Sequence, residues 1–264
     1  MHTRQPPHCL RALGREALPE TITLSSGVHH LERVFKHDFF AVTALYVGDG
    51  RKVVLKIGRK ASLLGIPLEW IGRLHANHES AAYLRLADLD VVPRFEGRFG
   101  RHGFVHDYIE GHALAKGERV PDDFFTRLRR AMETIHLRKM AYVDLEKCEN
   151  VLVGADGRPY LIDFQIAWLL PRKYGGDLWP LTWLRRRLQR ADLYHLGKLQ
   201  RRTRPDQLTE EELRASYRKP VYVRLHGALV RPFTLLRRRL LRRLDPQHQC
   251  GERGRVHHST DGDD

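Results

Sequence analysis

The chain has 264 residues and a formal net charge of +14, a length that suits one large domain or two small lobes and can bury a sizeable core. Its three cysteines lie far apart in the sequence, which excludes a disulfide framework and a C-x-x-C metal motif. No apolar run reaches the roughly 18 residues of a membrane span, and the first residues lack the apolar stretch of a signal peptide, so we expect a cytoplasmic protein that is soluble or attached to the inner face of a membrane.

The positive charge is concentrated in one part of the chain. Residues 172–243 contain 20 Lys and Arg against 6 Asp and Glu, and the charges of the other residues cancel. Such a field favours an anionic partner, although a solvated basic surface is an equally good interpretation. Few aromatic residues alternate with the arginines, so we expect no specific nucleic-acid partner. Basic amphipathic helices within residues 179–244 would either contact an anionic membrane surface or pack on the rest of the chain.

The first part of the chain predicts a β-rich unit. Residues 1–28 are an N-terminal appendage with a short helix over 10–18 and an edge strand over 21–24. Residues 31–57 are rich in strand formers on both sides of a Val-Gly-Asp-Gly turn, which predicts a β-hairpin. Lys56 is near the end of its second strand, where a lysine is most often an edge residue whose ammonium reaches solvent.

Two helices and two further strands follow. Apolar spacing predicts helices over residues 67–87 and 121–139. Strand formers predict strands over residues 91–95 and 103–111. The second helix leads directly into the most informative part of the sequence.

That part, residues 142–165, places polar side chains around a short hairpin. Asp144 and Asn150 lie in a polar loop, and Asp163 follows the strand that returns from a Gly-Ala-Asp-Gly-Arg-Pro turn. The hairpin brings the three side chains to one end, where such oxygen ligands suit Mg²⁺ with nucleotide phosphates completing its coordination. A hairpin with a polar loop and two capping aspartates is the simpler interpretation.

The same stretch resembles the catalytic and metal-binding loops of the protein-kinase-like superfamily, whose patterns are H-R-D-L-x-x-x-N and D-F-G. Asp144 and Asn150 match the Asp and Asn of the first pattern, and Asp163-Phe164-Gln165 matches the second with Gln in place of Gly. Tyr142-Val143 replaces His-Arg, and one additional residue separates Asp144 from Asn150. With these departures, the sequence more closely resembles the atypical bacterial branch of the superfamily, namely RIO-type kinases and lipopolysaccharide Kdo-type sugar kinases. The resemblance covers roughly residues 29–205.

The resemblance implies nucleotide-binding roles for residues elsewhere in the chain. Lys56 would hold the α- and β-phosphates of ATP, and Glu79 in the first helix would orient the Lys56 ammonium. Glu69 is the second choice for this orienting role. His106 and Tyr108 lie in the hinge segment whose backbone would meet the adenine edge.

Other implied roles concern phosphate and the reacting hydroxyl. The loop between the first strands has no glycine, so Lys36 or His37 would contact phosphate instead, although plain hairpin-tip residues are the more common case. Asp144 would accept the proton of the acceptor hydroxyl, and Lys147 would reach the γ-phosphate.

The implied cofactors are ATP and Mg²⁺, with Asn150 and Asp163 as the metal ligands. A predicted helix over residues 179–199 contains Asp192, which would accept hydrogen bonds from the catalytic loop as in related small kinases, or only cap the helix or form an ion pair. No A-P-E motif follows Gln165, which weakens an ordinary peptide-substrate interpretation.

These signals together predict an α+β, two-lobed protein-kinase-like fold. It has a small β-rich N-lobe with one main helix and a mostly helical C-lobe. The predicted boundaries are the appendage over 1–28, the N-lobe over 29–107, the C-lobe with its basic C-terminal helices over 108–245, and a disordered tail over 246–264.

The predicted function is ATP- and Mg²⁺-dependent phosphoryl transfer to a hydroxyl, and protein Ser/Thr is the slightly favoured acceptor. The missing A-P-E motif and the basic helices keep a sugar on a membrane glycolipid open as the acceptor. A third interpretation is a pseudokinase that binds partners without transfer. The missing glycines and the longer loop favour it, whereas the retained Lys, Asp and Asn residues of the motifs oppose it.

Overall fold

The computed structural model describes residues 8–63, 65–170 and 177–217, which form two lobes. The strands are β1 (Thr21–Leu24), β2 (Gly27–His37), β3 (Ala41–Gly48), β4 (Arg51–Gly58), β5 (Phe95–Phe99), β6 (Gly103–Asp107), β7 (Gly111–Ala113), β8 (Val151–Gly154) and β9 (Pro159–Leu161). The helices are α1 (Glu69–Arg85), α2 (Phe124–Leu137), α3 (Trp179–Thr203) and α4 (Glu210–Tyr217).

The N-terminal lobe is a six-stranded antiparallel sheet with α1 packed against it. Its strand order is β1-β2-β3-β4-β6-β5, and a separate three-stranded sheet, β7-β8-β9, belongs to the C-terminal lobe with α2, α3 and α4. This is the α+β, two-lobed architecture that the sequence predicts, with one main helix in the β-rich lobe. Within the described ranges, no helix is both long and apolar enough to cross a membrane.

Two hydrophobic clusters form the core of the protein. The smaller one lies in the N-terminal lobe, where Leu13 and Ile22 pack with Tyr46 and Leu55 of the sheet. The larger one contains residues of α1, β6, α2, α3 and the β8-β9 hairpin, so it crosses from one lobe to the other. Because burial of apolar area is the main stabilising term in folding, this shared cluster fixes the two lobes against each other.

Two predicted elements are wrong. The helix over residues 10–18 does not form, because the Ala12 N–H binds the Asp38 carbonyl at 2.8 Å and Gly14 has φ of +64°. The strand predicted over residues 91–95 lies later, at Phe95–Phe99. Val91 and its neighbour Val92 are buried in the larger cluster rather than in a sheet, and apolar spacing alone does not distinguish these cases.

The other predicted elements form close to their expected positions. The edge strand at residues 21–24 is present, and the predicted hairpin is formed by β3 and β4 with β2 preceding them. The remainder of the predicted basic helices after Tyr217, and the predicted tail over 246–264, lie outside the described residues.

Two glycines set the distance between α1 and β4. A Cβ atom at Gly72 would lie 2.0 Å from the carbonyl oxygen of Arg59, and one at Gly58 would lie 2.7 Å from the carbonyl oxygen of Gly72. Helix and strand backbones therefore touch here. Glu79 lies seven residues after Gly72, about two turns further along the same side of the helix, where it faces the strand.

We predict that Gly72→Ala destabilises the protein by about 1–3 kcal/mol, because the added methyl group forces α1 away from β4. The free energy of unfolding in urea is the measurement. Gly197→Ala is the matched control, since no atom of the described residues lies within 4 Å of a Cβ added at that helical glycine and alanine favours the helix. Equal effects of the two substitutions would contradict the prediction.

Candidate active site

Three charged side chains from distant parts of the chain meet between the lobes. The Lys56 ammonium on β4 donates to Glu79 Oε1 of α1 at 2.8 Å and to Asp163 Oδ1 at 3.0 Å. Glu79 also accepts the backbone N–H of Phe164 at 3.2 Å. The pair that the sequence predicts from Lys56 and Glu79 is therefore formed. Glu69, the second choice, lies 3.5 Å from His102 instead.

The charges of this cluster depend on one another. Burial opposes the positive charge of Lys56, but attraction from Glu79 and Asp163 outweighs burial and raises the pKa of the ammonium. Burial also opposes ionisation of Asp163, but attraction from the Lys56 cation outweighs burial. The pKa of the Asp163 carboxyl group is therefore lowered. The cluster consequently presents an ionised carboxylate and a fixed cation at the cleft.

The loop before β8 holds its polar residues together despite the additional residue. The Lys147 ammonium donates to Asp144 Oδ2 at 2.6 Å, and the Asn150 amide donates to the same oxygen at 2.9 Å. A 3-10 turn over Cys148–Asn150 takes up the extra length. The Ile162 N–H donates to the Asn150 carbonyl at 3.1 Å, so the hairpin brings this loop next to Asp163.

A fully buried carboxylate supports the same loop from α3. Asp192 accepts the N–H of Tyr142 at 2.9 Å and that of Val143 at 2.8 Å, and it contacts His136 Nε2 at 3.0 Å. Val143 has φ of +73°, which is a strained conformation for a β-branched residue. Of the roles open to Asp192 from the sequence, the contacts correspond both to binding the loop that contains Asp144 and to pairing with a neighbouring side chain, His136.

Aromatic rings form a continuous column beside the charged cluster. Phe164 contacts Tyr142 and Tyr83, with centroid distances of 5.3 and 5.1 Å. Tyr83 stacks on His106 at 5.2 Å. The Tyr142 hydroxyl donates to the carbonyl of Ile162. The side chain of His106 thus lies in the core, and burial lowers the pKa of its imidazole to about 4.

The backbone donors of the hinge are mostly used within the protein. The Tyr108 N–H binds the Lys52 carbonyl at 3.0 Å, and the Asp107 N–H binds the Arg94 carbonyl at 2.8 Å. The Tyr108 ring stacks on Phe35 of β2 at 6.0 Å. Two backbone N–H groups of the predicted hinge, those of Asp107 and Tyr108, are therefore bound to protein carbonyls rather than open to a ligand.

The turn between β2 and β3 satisfies its own backbone. Asp38 Oδ1 accepts the N–H groups of Phe40 at 2.8 Å and Ala41 at 2.9 Å. A carboxylate thus occupies donors that a glycine-rich loop offers to phosphate. The Lys36 ammonium forms an ion pair with Asp38 at 2.9 Å, and His37 Nε2 accepts the Leu13 N–H at 3.3 Å. Neither predicted phosphate contact is directed at the charged cluster.

Arg59 fastens this turn to the sheet, which the sequence did not indicate. Its buried guanidinium donates to the carbonyl of Phe39 at 2.9 Å and lies 3.9 Å from the centre of the Phe39 ring. It also donates to the carbonyls of Arg11 and Ser62. The Asp-x-x pattern at Asp38, which is typical of a side-chain turn, was the only sequence signal for the turn that Arg59 holds.

Gln165, which replaces the glycine of D-F-G, reaches back to α1. Its Nε2 atom lies 3.0 Å from His75 Nδ1, and burial together with Lys56 lowers the pKa of that imidazole. A small cavity lies between these residues and the β2-β3 turn. Its lining is formed by Phe40, Ala41, Lys56, Gly58, His75, Ala76, Glu79, Phe104 and Gln165.

No protein-family model matches the sequence, and no curated protein is significantly similar to it. Among solved structures, one that is similar is described as the crystal structure of PF14_0431, kinase domain. The TM-score is 0.48 and the identity 13%, over 70% of this chain and 67% of that chain. A likeness of this degree carries no conclusion about function.

The residues present fit a metal ion that arrives with a nucleotide. Within the described ranges, no three His, Cys, Asp or Glu side chains are grouped to hold a metal ion by themselves. Mg²⁺, however, is usually held by one or two carboxylates together with substrate phosphates. Asp163 supplies an ionised carboxylate, and the side-chain oxygen of Asn150 makes no hydrogen bond in the described part of the chain.

We predict that Asp192→Asn destabilises the protein by about 1–3 kcal/mol, because an amide cannot accept both loop N–H groups through two oxygens. Thermal unfolding and hydrogen exchange of the loop amides are the measurements. Asp123→Asn is the control, since Asp123 is an exposed partner of Arg127 and its loss should leave unfolding nearly unchanged. Unchanged exchange at Tyr142 and Val143 would contradict the prediction.

We predict a pH-dependent stability that originates at His106. The unfolded imidazole binds its proton near pH 6.5, whereas the folded one does so near pH 4. The free energy of unfolding should therefore fall as the pH drops from 6.5 towards 4, by about 3 kcal/mol from this residue. His106→Leu should remove that part of the slope. Phe104→Leu, which alters a non-titrating neighbour in the same stack, should keep that part of the slope. Parallel curves of unfolding free energy against pH for wild type and His106→Leu would contradict the assignment.

Proposed function

We propose that this protein transfers the γ-phosphoryl group of ATP to a hydroxyl group. The observation that carries the proposal is the convergence of Lys56, Glu79 and Asp163 on one cluster, beside a loop that presents Asp144 and Asn150. A pseudokinase would need the fold but not this complete set of charged and polar groups.

The cluster suits the positioning of phosphates. Lys56, oriented by Glu79, would hold the α- and β-phosphates as a fixed cation. Bound Mg²⁺ supplies neutralisation of phosphate charge, and Asp163 with Asn150 would hold it. Lys56 donates to Asp163 Oδ1 in the structure, which orients the carboxylate that would hold the metal.

Asp144 is the group proposed to act on the acceptor. Its carboxylate would align the hydroxyl and accept its proton as the new P–O bond forms and the bond to the leaving ADP breaks. Lys147, which contacts Asp144 at 2.6 Å, would reach the γ-phosphate after turning away from that carboxylate. The acceptor oxygen would attack from the loop side of the cleft.

The adenine would meet the hinge through backbone groups rather than side chains. Because the N–H groups of Asp107 and Tyr108 already bind protein carbonyls, the next donor along the chain, at Ile109, is the one we propose. The predicted backbone contact over His106 to Tyr108 is thereby moved one residue along the chain, and Lys36, which pairs with Asp38, is left out of the proposed nucleotide site.

The acceptor remains a choice between protein Ser/Thr and a sugar on a membrane glycolipid. The exposed side of α3, described below, favours the membrane-bound acceptor over the protein acceptor that the sequence slightly favoured. The domain boundaries at residues 28, 107 and 245, and a location at the inner membrane face, stay predictions.

The test combines calorimetry with a transfer assay. Wild-type protein should bind ATP with Mg²⁺, and Asp163→Asn should lose the Mg²⁺-dependent part of the affinity. Asp144→Ala should lower the transfer rate by about 10²–10⁴-fold while nucleotide binding is kept. Asp90→Asn, an exposed carboxylate far along the chain from the motifs, is the control. Binding that ignores Mg²⁺ would favour a pseudokinase, and no binding would overturn the proposal.

A further inference from the structure

The two sides of α3 differ sharply. One side is buried and carries Asp192, which binds the catalytic loop. The opposite side carries residues spaced three or four apart, which places them on one stripe of the helix. We name this stripe the Trp–Arg face, and it consists of Trp179, Trp183, Arg186, Arg187, Arg190 and Leu193.

The apolar members of the Trp–Arg face are open to solvent. Trp179 is 79% exposed, Trp183 50% and Leu193 41%. Exposed large apolar side chains that cluster with charged ones mark interaction surfaces in soluble proteins. Trp has a particular preference for the boundary between water and a lipid bilayer, because its ring is apolar and its N–H is polar.

The charge of the face has one sign. Residues 178–191 contain no Asp or Glu, and the acidic residue that follows, Asp192, lies on the buried side. The Arg187 guanidinium lies 4.8 Å from the centre of the Trp183 ring. Arginines beside interfacial tryptophans complement a surface of lipid phosphates.

We propose that the Trp–Arg face docks this protein on the surface of an anionic lipid bilayer. The tryptophan rings would enter the headgroup region, and the arginines would bind lipid phosphates. The helix would lie in the plane of the interface, as amphipathic helices with a basic polar side do.

Residues 218–244 of the same chain are a poor alternative occupant of this face. Residues 218–244 contain nine Lys and Arg and no Asp or Glu. Two positive surfaces repel each other, whereas a single anionic bilayer complements both. RNA would match the charge, but a stripe with two tryptophans and a leucine at helical spacing suits an apolar boundary better than stacked bases do.

Docking through this face has a consequence for the acceptor, which rests on the proposed function. The catalytic loop is bound on the other side of the same helix, through the N–H groups of Tyr142 and Val143. One helix diameter, roughly 10 Å, therefore separates the loop from the bilayer surface. The acceptor hydroxyl would therefore belong to a headgroup or headgroup-linked sugar that extends past α3 by about that distance.

The experiment measures binding of the full chain to vesicles. Phosphatidylcholine vesicles are compared with vesicles that contain one quarter phosphatidylglycerol, at low and high salt. Wild type should bind the anionic vesicles only, and its tryptophan fluorescence should shift to the blue and be quenched by brominated lipid. Trp179→Ser with Trp183→Ser should abolish the quenching, and Arg186→Gln with Arg190→Gln should weaken binding by more than about tenfold.

The controls separate this face from other surfaces. Trp70→Ser removes an exposed tryptophan of α1 and Arg130→Gln an exposed arginine of α2, and both should bind like wild type. Circular dichroism checks that the variants fold. Binding to anionic vesicles that is unchanged in both α3 double variants, or tight binding to an RNA oligonucleotide without vesicle binding, would overturn the proposal. Because vesicle binding needs no nucleotide, its failure is distinguishable from failure of the phosphotransfer proposal.

Discussion

The ion pair of Lys56 with Glu79 imposes the strongest constraint on the structure. Glu79 is 2% exposed, and a buried carboxylate without its cation is costly. The pair requires α1 and β4 to lie at backbone contact, which Gly58 and Gly72 permit. Through the Phe164 N–H and Asp163, the same pair attaches the β8-β9 hairpin of the other lobe. The relative position of the lobes therefore depends on one buried charge being satisfied.

Local signals in the sequence predicted the elements that carry the cluster, whereas the resemblance to the protein-kinase-like superfamily linked its three members. Lys56 is near the end of an apolar strand, Glu79 lies in a helix, and Asp163 follows a hairpin with a clear turn. Side-chain direction was harder to predict, because it follows strand register: His106 is two residues from Phe104, so both rings meet Tyr83 on the same side of β6.

Long-range contacts could not be predicted from the sequence, for a different reason. Arg59 joins segments that lie 20 and 48 residues away, and nothing in the pattern around an arginine distinguishes a buried donor from an exposed one. The glycine-free turn and the Asp-x-x pattern at Asp38 could be recognised, but not the contacts that Arg59 makes with the turn. Such a turn is ordered before any ligand arrives, whereas a glycine-rich turn has more conformational freedom to lose.

The fastened turn also affects how a nucleotide could enter and leave. Arg59 holds the turn at its tip, and the stacking of Phe35 on Tyr108 joins β2 to the hinge. A loop fixed at both places does not lift by itself, so under the proposed function opening would require a small rotation of one lobe against the other across the shared hydrophobic cluster. Motions of this kind take microseconds to milliseconds and often limit turnover. The rate of product release would then depend on motion at the hinge. A higher solvent viscosity would slow product release more than substitutions in the turn would.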